Sequence, residues 1–314
     1  MAYQVCRLLL RERDLINRQL LPRIITSAAK FSDKAPYLET APQLQPSLPK
    51  EIILYQYEVC PFCCKVKAFL DYHKIPYRTV EVSPLTKKQL KWSDYRKVPV
   101  ALLDGEPVTD STAIITRLAA EVAEEQQTSH AQDSPSGWRK LIGGGGRRQG
   151  KASQSPPLDG SEQADEERWR RWVDERLVRL LTVNIYRNMR ESFQTFDYIT
   201  ASSCNFGFFE REAARVVGAI LMWGISGRLK KKYGIEGDVR EELYQAANIW
   251  TDGLGNRRFH GGAKPDLADL SVFGVIRSIT CTDTFMDLMH TTNIGSWYEH
   301  MMDAVGNSSR LSAS

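Results

Sequence analysis

The chain has 314 residues, of which 42% are hydrophobic and 25% are charged, a composition typical of folded globular proteins. Its formal net charge is only +4, and the basic excess lies in the first fifty residues, so no electrostatic footprint for nucleic acid is visible. The apolar runs are far shorter than the roughly 20 residues that cross a bilayer, so we expect no transmembrane segment. Six cysteines without an export signal indicate a reducing compartment rather than a disulfide scaffold.

Residues 1–50 are expected to form a leader and linker outside the folded core. The stretch is rich in arginine and ends in the Pro-rich run 41–49, a composition that favours an irregular linker. Its basic character fits an organellar transit peptide and a disordered leader equally well. We therefore expect an intracellular protein, in the cytoplasm or in an organelle such as the mitochondrion or the plastid.

Residues 51–123 alternate between short apolar strands and helices. The predicted elements are a strand at 52–57, a helix at 61–73, a strand at 77–82, a short helix at 85–92, strands at 98–103 and 106–108, and a helix at 111–122. Asp104-Gly105 suits a hairpin turn, because both residues tolerate the positive φ angles that such a turn requires. The order β-α-β-α-β-β-α predicts a thioredoxin-like α/β domain.

The second half of the chain has a different character. Residues 124–165 are predicted to be a flexible linker, because their glycine run and Ser-Pro-Pro stretch carry no hydrophobic periodicity. Residues 166–306 are predicted to form an all-α domain, followed by a tail at 307–314. Its predicted helices are 169–181, 209–232, 239–254 and 267–280.

The strongest candidate site is the run Cys60-Pro61-Phe62-Cys63, where the first strand gives way to the first helix. The N–H groups and the dipole at a helix N-terminus favour an anion, so we expect Cys60 to be a thiolate at neutral pH. Cys63, one turn further along, is placed to resolve a mixed disulfide on Cys60. Tyr57 lies at the strand end, where its hydroxyl could donate a hydrogen bond to the Cys60 sulfur.

Two structural explanations compete with this one. A structural zinc site needs four ligands, and no second Cys or His pair has suitable spacing, so we predict no metal. A pair of buried cysteines that only fills space remains open, because free cysteine commonly behaves as a small hydrophobe. The strand before the pair and the amphipathic helix after it favour a thiol site.

Two further features agree with a thiol site that binds glutathione. Val98-Pro99 lies where a polar loop enters a strand, the place where thioredoxin-like proteins have a cis-proline. Asp110-Ser111 begins a predicted helix, where either residue could simply be the N-cap. The functional alternative is that the same groups hold the γ-glutamyl end of glutathione, whose carboxylate suits a helix N-terminus.

Together these motifs resemble the glutathione S-transferase superfamily and, more narrowly, the membrane-associated type 2 prostaglandin E synthases. The resemblance rests on residues 54–66 and 95–99 in the α/β half. It continues in the helical half and covers roughly residues 50–125 and 165–306. The helical motifs are Trp169–Asp174, Phe196–Ile199 and Gly261–Leu270. The resemblance implies a glutathione S-transferase fold, with an N-terminal thioredoxin-like (glutaredoxin-like) domain and a C-terminal helical domain.

The resemblance also implies an activity, which is the isomerisation of the endoperoxide prostaglandin H2 to prostaglandin E2 with help from a thiol. Carried across, Cys60 is the essential thiol, and Tyr57 and Phe62 line its pocket. Bound glutathione is implied, as is haem in contact with the glutathione sulfur. Asp266 and Asp269 resemble the N-cap and capping-box pair of this superfamily, which is a folding feature.

Three functions therefore stay open. The first is the glutathione- or thiol-dependent isomerase, the second is a glutaredoxin-like oxidoreductase or glutathione transferase, and the third is a noncatalytic protein that binds glutathione or haem. The expected partner is a small molecule, either an endoperoxide lipid or a disulfide, and not nucleic acid. A homodimer and a peripheral association with membranes are further expectations.

Overall fold

The computed structural model describes residues 48–132, 160–197, 199 and 207–311, and its first half is built on a four-stranded sheet. The strands lie in the order β2-β1-β3-β4. Strand β2 runs parallel to β1, whereas β3 is antiparallel to β1 and β4 is antiparallel to β3. The strands are β1 (Ile52–Gln56), β2 (Arg78–Glu81), β3 (Val100–Leu103) and β4 (Glu106–Thr109). This mixed sheet confirms the predicted thioredoxin-like fold.

Helices make up most of the remaining described residues. In chain order they are α1 (Pro61–Tyr72), α2 (Ser111–Gln132), α3 (Gly160–Trp172), α4 (Val178–Ile185), α5 (Met189–Phe196), α6 (Phe208–Lys232), α7 (Val239–Leu254), α8 (Leu267–Arg277), α9 (Asp283–Thr291) and α10 (Ile294–Val305). A π-helical segment, Val173–Leu177, joins α3 to α4 without a break. The predicted combination of a thioredoxin-like half with a helical half is confirmed.

The structure corrects several predicted boundaries. The helix predicted at 85–92 is only a 3₁₀ turn at Lys88–Leu90, because Lys87 has φ 48°, a left-handed conformation that an α-helix cannot contain. Both ends of the predicted linker are helical, since α2 continues to Gln132 and α3 begins at Gly160. The Ala- and Glu-rich sequence after 118 explains the longer α2, because both residues are strong helix formers.

Some predicted elements stay untested or were missed. Helices α5, α9 and α10 were not predicted individually. The leader at 1–47 and the central part of the linker lie outside the described residues. The domain boundaries at 51–123 and 166–306 remain a prediction.

The predicted capping box at the start of α8 is present. Asp266 Oδ1 accepts the Asp269 N–H at 2.9 Å, and Asp269 Oδ2 accepts the Asp266 N–H at 3.1 Å. Asp269 is fully buried and its Oδ1 also accepts the Trp297 Nε1–H at 3.0 Å, so the box joins α8 to α10 as well as starting the helix.

Helix α8 packs directly on α1, the helix that begins beside Cys60. A Cβ atom added to Gly274 of α8 would lie 2.6 Å from Lys65 Cα and 2.7 Å from the Cys64 carbonyl oxygen. The two backbones can approach this closely only because residue 274 has no side chain. Two ion pairs from α1 flank this contact: Lys65 Nζ lies 2.5 Å from Asp174 Oδ1, and Asp71 Oδ2 lies 2.7 Å from Arg277 Nη1.

Because of this contact, alanine should change the free energy of unfolding in opposite directions at Gly274 of α8 and at Gly224 of α6. Gly274→Ala should lower the free energy of unfolding by about 1–3 kcal/mol, because a methyl group there overpacks two backbones. Gly224→Ala is the matched control, since nothing lies within 4 Å of its added Cβ in α6. That control should raise stability by about 0.5–1 kcal/mol through helix propensity. Urea denaturation of the two variants checks the prediction, and equal midpoints would contradict the packing.

Candidate thiol site

Cys60 occupies the N-cap position of α1, as the sequence predicts. Its backbone is extended, with φ −73° and ψ 123°, and Pro61 follows in the first helical turn, where a missing N–H costs nothing. The Cys60 N–H donates to the Tyr57 carbonyl at 3.0 Å, and the Cys60 carbonyl accepts the Cys64 N–H at 2.9 Å. The turn 57–60 thus fixes the thiol at the positive end of the helix dipole.

The protein environment shifts the pKa values of Cys60 and Cys63 in opposite directions. The largest effect on Cys60 is a hydrogen bond from the Cys63 S–H, which lowers the pKa of Cys60, whereas burial raises it. The backbone N–H groups of Cys63 and Phe62 and the Lys67 cation lower the Cys60 pKa further. Burial raises the pKa of Cys63 well above its usual range, and the hydrogen bond to Cys60 adds to that shift. Cys60 is therefore the thiol of the pair that ionises more readily, and Cys63 is a buried hydrogen-bond donor to it.

The third cysteine of the run takes no part in this pairing. The Cys64 S–H donates to the Glu58 carbonyl at 3.3 Å, and the side chain is buried. Burial raises the pKa of Cys64 to about 11. Such a thiol stays protonated at neutral pH and serves packing.

Tyr57 lies directly after β1 and beside the thiols, but the expected contact is absent. Among the described residues its hydroxyl forms no hydrogen bond with the Cys60 sulfur. Burial raises the pKa of Tyr57 to about 12, and charge at Cys60 and Cys63 adds to the shift, so the phenol is neutral and near the thiols. It can therefore act as a hydrogen-bond donor to a bound molecule.

Two further tyrosines surround the thiol, and sequence reasoning missed both. Tyr95 comes from the loop before Val98, and Tyr186 comes from the end of α4 in the helical half. The pKa of each is raised by burial first and then by charge, with Cys60 contributing in both cases. Tyr186 also lies 6.1 Å from the ring of Phe196, centroid to centroid. Only the position of Tyr95 next to the predicted cis-proline could have indicated it.

Phe62 packs against the main hydrophobic core and lies beside Lys65. Its ring is partly buried against the core, and Lys65 Nζ lies 5.7 Å from the ring centroid. The Lys65 partner, Asp174, also accepts the Thr112 Oγ1–H at 3.3 Å. The π-helical segment of the helical half thereby meets α1 and the start of α2 at one point.

The Val98-Pro99 peptide bond is cis, as predicted from its position. Pro99 is buried, and Val98 packs with Tyr57 and Tyr95 in one small apolar cluster. Within the described residues, the N–H and C=O of Val98 form no hydrogen bond. This backbone is free to pair with an extended ligand beside Cys60, in the way that a strand edge pairs.

Asp110 is the cap of α2, which decides between the two capping candidates. Its Oδ1 accepts the Thr112 N–H at 2.8 Å and the Ala113 N–H at 3.3 Å. The backbone of Asp110 has φ 74°, a left-handed conformation that Asp and Asn tolerate better than most residues. Ser111 is buried at the first helical position, whereas Oδ2 of Asp110 forms no hydrogen bond in the part of the chain that the structure describes.

Two other findings bear on what the site can bind. In the described ranges, no group of three or more His, Cys, Asp and Glu side chains is arranged to hold a metal ion. The same ranges contain no helix with both the length and the apolar character needed to cross a membrane.

The opposite pKa shifts of Cys60 and Cys63 lead to a testable prediction. Cys63→Ala should shift the pH midpoint of Cys60 alkylation by iodoacetamide upward, because it removes the hydrogen bond that most lowers the Cys60 pKa. Cys63→Ser is the matched control, since its hydroxyl can still donate. Mass spectrometry of the 51–65 peptide reports the modified residue. A midpoint that does not move in Cys63→Ala would contradict this account of the thiolate.

Comparison with known proteins agrees with this geometry. Residues 54–126 match the family "Glutathione S-transferase, N-terminal domain". A prostaglandin E synthase 2 from Danio rerio is 38% identical over 269 residues, which cover 81% of this chain and 71% of that protein. A prostaglandin E synthase 2 from Mus musculus is 37% identical over 287 residues, covering 85% of this chain and 73% of that protein.

Among solved structures, glutathione S-transferase III in its apo form is 14% identical, with a TM-score of 0.49 over 80% of this chain and 91% of that one. The family assignment rests on the two curated relatives, whose identity extends over most of this chain and over more than two thirds of their own length. The chain belongs to the prostaglandin E synthase 2 family and contains a glutathione S-transferase N-terminal domain.

Proposed function

We propose that this chain is a thiol- and glutathione-dependent isomerase that converts prostaglandin H2 to prostaglandin E2, with Cys60 as the working thiol. The observation that carries the proposal is that the pKa values of Cys60 and Cys63 are shifted in opposite directions at the start of α1. Cys60 is favoured as a thiolate there, whereas Cys63 is a buried donor. The relatives named prostaglandin E synthase 2 support the choice of substrate.

The chemistry of this isomerisation needs a group that accepts one proton and returns one. The carbon that becomes the ketone loses a proton, and its C–H electrons form the carbonyl as the O–O bond breaks. The second oxygen leaves with the electron pair of that bond and takes up a proton. The Cys60 thiolate can accept the first proton and its thiol can deliver one, which makes it a general base and then a general acid.

Glutathione is proposed as the bound cofactor, and the residues present fit it. The unpaired backbone of Val98 at the cis-Pro99 edge suits the cysteinyl backbone of the tripeptide. The Asp110 carboxylate suits the γ-glutamyl ammonium, and the start of α2 at Ser111 suits its carboxylate. When bound, glutathione would supply a second thiol beside Cys60.

Haem, which the family resemblance implies, finds no such support. One cavity of ≈ 330 Å³ is lined mainly by charged side chains of α5 and α9, together with two residues just before α5, and it includes none of the predicted site residues. A porphyrin needs a largely apolar cleft with an axial ligand. This charged cavity therefore offers no haem site, and the proposed reaction does not use haem.

The second candidate is a glutaredoxin-like thiol–disulfide oxidoreductase. It is favoured by one observation, which is that Cys63 hydrogen-bonds the Cys60 sulfur and is placed to attack a mixed disulfide formed there. A glutathione transferase would use the same glutathione site without Cys63. A noncatalytic glutathione-binding protein would need neither thiol.

A homodimer is also part of the proposal, and helix α6 offers the surface for it. Val216, Ile220 and Trp223 lie on one face of α6 and are 40%, 46% and 44% exposed. Sedimentation velocity of the purified chain would reveal the dimer. Peripheral membrane association and an organellar location remain predictions.

The thiol assignment is tested with prostaglandin H2 and with a glutathionylated disulfide as alternative substrates. Cys60→Ser should lose at least a hundredfold in turnover on prostaglandin H2, because the thiolate is the proton acceptor. Cys63→Ser should keep that activity within a fewfold, since its hydroxyl can still donate to Cys60. Both rates are measured with and without glutathione. Full isomerase turnover in Cys60→Ser would contradict the thiol mechanism, and disulfide reduction alone would favour the second candidate.

The glutathione site is tested with a variant that keeps the helix-capping role of Asp110 but removes its negative charge. Asp110→Asn keeps the side-chain oxygen that caps α2 but removes the carboxylate, so stability should change little. Glutathione affinity should fall roughly ten- to a hundredfold, since a charge-assisted contact contributes about 1.5–3 kcal/mol. Asp110→Ala should lose the cap as well as the affinity. Calorimetric titration checks this, and unchanged affinity in Asp110→Asn would mean that Asp110 is only a cap.

A further inference from the structure

The C-terminal tail is attached to the helix of the thiol site. After α10 the chain turns at Gly306, which has φ 63°, and runs back along α1. The buried Asp71 of α1 accepts the Ser309 N–H at 2.8 Å and the Ser308 Oγ–H at 2.9 Å through one oxygen. Lys74 Nζ donates to the Val305 carbonyl at 2.5 Å. Residues 305–309 are therefore held against α1 and Lys74.

The next residues of the tail pair with the edge of the sheet. The Leu311 N–H donates to the Tyr77 carbonyl at 2.8 Å, and Arg310 forms a parallel bridge with Tyr77 just before β2. This pairing directs the Arg310 side chain toward the loop between β1 and α1. There Arg310 Nη1 lies 3.1 Å from Glu58 Oε2.

Glu58 is the centre of the turn that carries Cys60. Its carboxylate Oε1 lies 2.9 Å from Lys67 Nζ, and its Oε2 accepts the Gln56 Nε2–H at 2.6 Å as well as the Arg310 contact. Its backbone N–H donates to Glu81 Oε1 at 2.9 Å, and its carbonyl accepts the Lys67 Nζ–H at 3.0 Å. The residue two positions before the thiol is thus held by α1, β1, β2 and the tail.

The negative charge of the Glu58 carboxylate is compensated by nearby cations. Burial alone would raise the pKa of Glu58, but the Lys67 and Arg310 cations, with hydrogen bonds from Lys67 and Gln56, bring it down to about 2. Glu58 is therefore an anion in the turn that carries Cys60, and the Lys67 and Arg310 cations compensate its charge. Removing one cation leaves more net negative charge near the Cys60 sulfur, which disfavours a thiolate. The other ionisable groups around the turn and the thiol are Tyr57, Cys63, Cys64, Glu81, Tyr95 and Tyr186.

We propose that Arg310 is a positioning residue of the thiol site, which acts from the C-terminal tail by holding Glu58 and compensating its charge next to Cys60. The inference deepens the proposed function, because it concerns the same thiol. It does not depend on the identity of the substrate, since the reactivity of Cys60 can be measured directly. Arg310 is 46% exposed and Glu58 is 35% exposed, so the effect should have the size of a partly exposed ion pair.

The test is the pH profile of Cys60 alkylation by iodoacetamide in the full chain. Arg310→Ala should shift the midpoint to higher pH and slow alkylation about two- to fivefold below the midpoint, with the same plateau at high pH. Arg310→Lys should restore most of the wild-type profile. Arg117→Ala is the matched control, because Arg117 is another exposed arginine, paired with Glu106 and Glu121 far along the chain from Cys60. Its profile should follow the wild type.

A double-mutant cycle tests the route through Glu58. In a Glu58→Gln background, Arg310→Ala should produce no further shift, because the charge that it compensates is gone. Wild-type and Arg310→Ala profiles that superpose would overturn the proposal, as would an equal shift in the Glu58→Gln background. A chain that fails to isomerise prostaglandin H2 but shows the predicted shift would overturn the proposed function and keep this inference.

Discussion

The contact between α1 and α8 at Gly274 is the constraint on which the rest of the structure depends. It brings two helix backbones together where a side chain would be 2.6 Å from Lys65 Cα. Helix α1 starts at the thiol, and α8 starts at the capping box of the helical half. The thiol end of α1 is therefore fixed relative to the π-helical segment and to the end of α4, which supply Asp174 and Tyr186. A loose contact here would separate the thiol from the groups that surround it.

Electrostatic compensation is the second theme of the site. Cys60 lies at a helix N-terminus, where backbone N–H groups and the Cys63 thiol lower the pKa of the Cys60 thiol. The buried cations nearby are paired with partly exposed carboxylates, Lys65 with Asp174 and Lys67 with Glu58. Such pairs add little net stability, because desolvation of the cation offsets much of the attraction. Their value here is a defined field around one sulfur atom.

Much of this arrangement could be predicted from local sequence patterns. The succession of strands along the chain and the Cys60 helix start follow from residues close together in sequence, whereas the cis-Pro99 bond and the capping box of α8 were expected from likeness to known folds. Tyr186 and Arg310 could not be predicted, because each reaches the site through packing between segments that are distant in sequence. The same holds for the cap of α2: the sequence left Asp110 and Ser111 as alternatives, and only the backbone conformation at Asp110 decides between them. The expected hydrogen bond from Tyr57 to the Cys60 sulfur is not formed among the described residues, because closeness along the chain does not fix the direction of a hydroxyl group.

In the proposed function, glutathione binds along the cis-Pro99 edge with its sulfur beside Cys60. A crystal structure of the chain grown with glutathione would test this binding mode. We expect the tripeptide backbone to pair with the N–H and C=O of Val98, its γ-glutamyl group to lie at Asp110 and the start of α2, and its sulfur to face Cys60. Glutathione bound elsewhere, with the Val98 backbone unpaired and Cys60 facing solvent, would contradict the proposal.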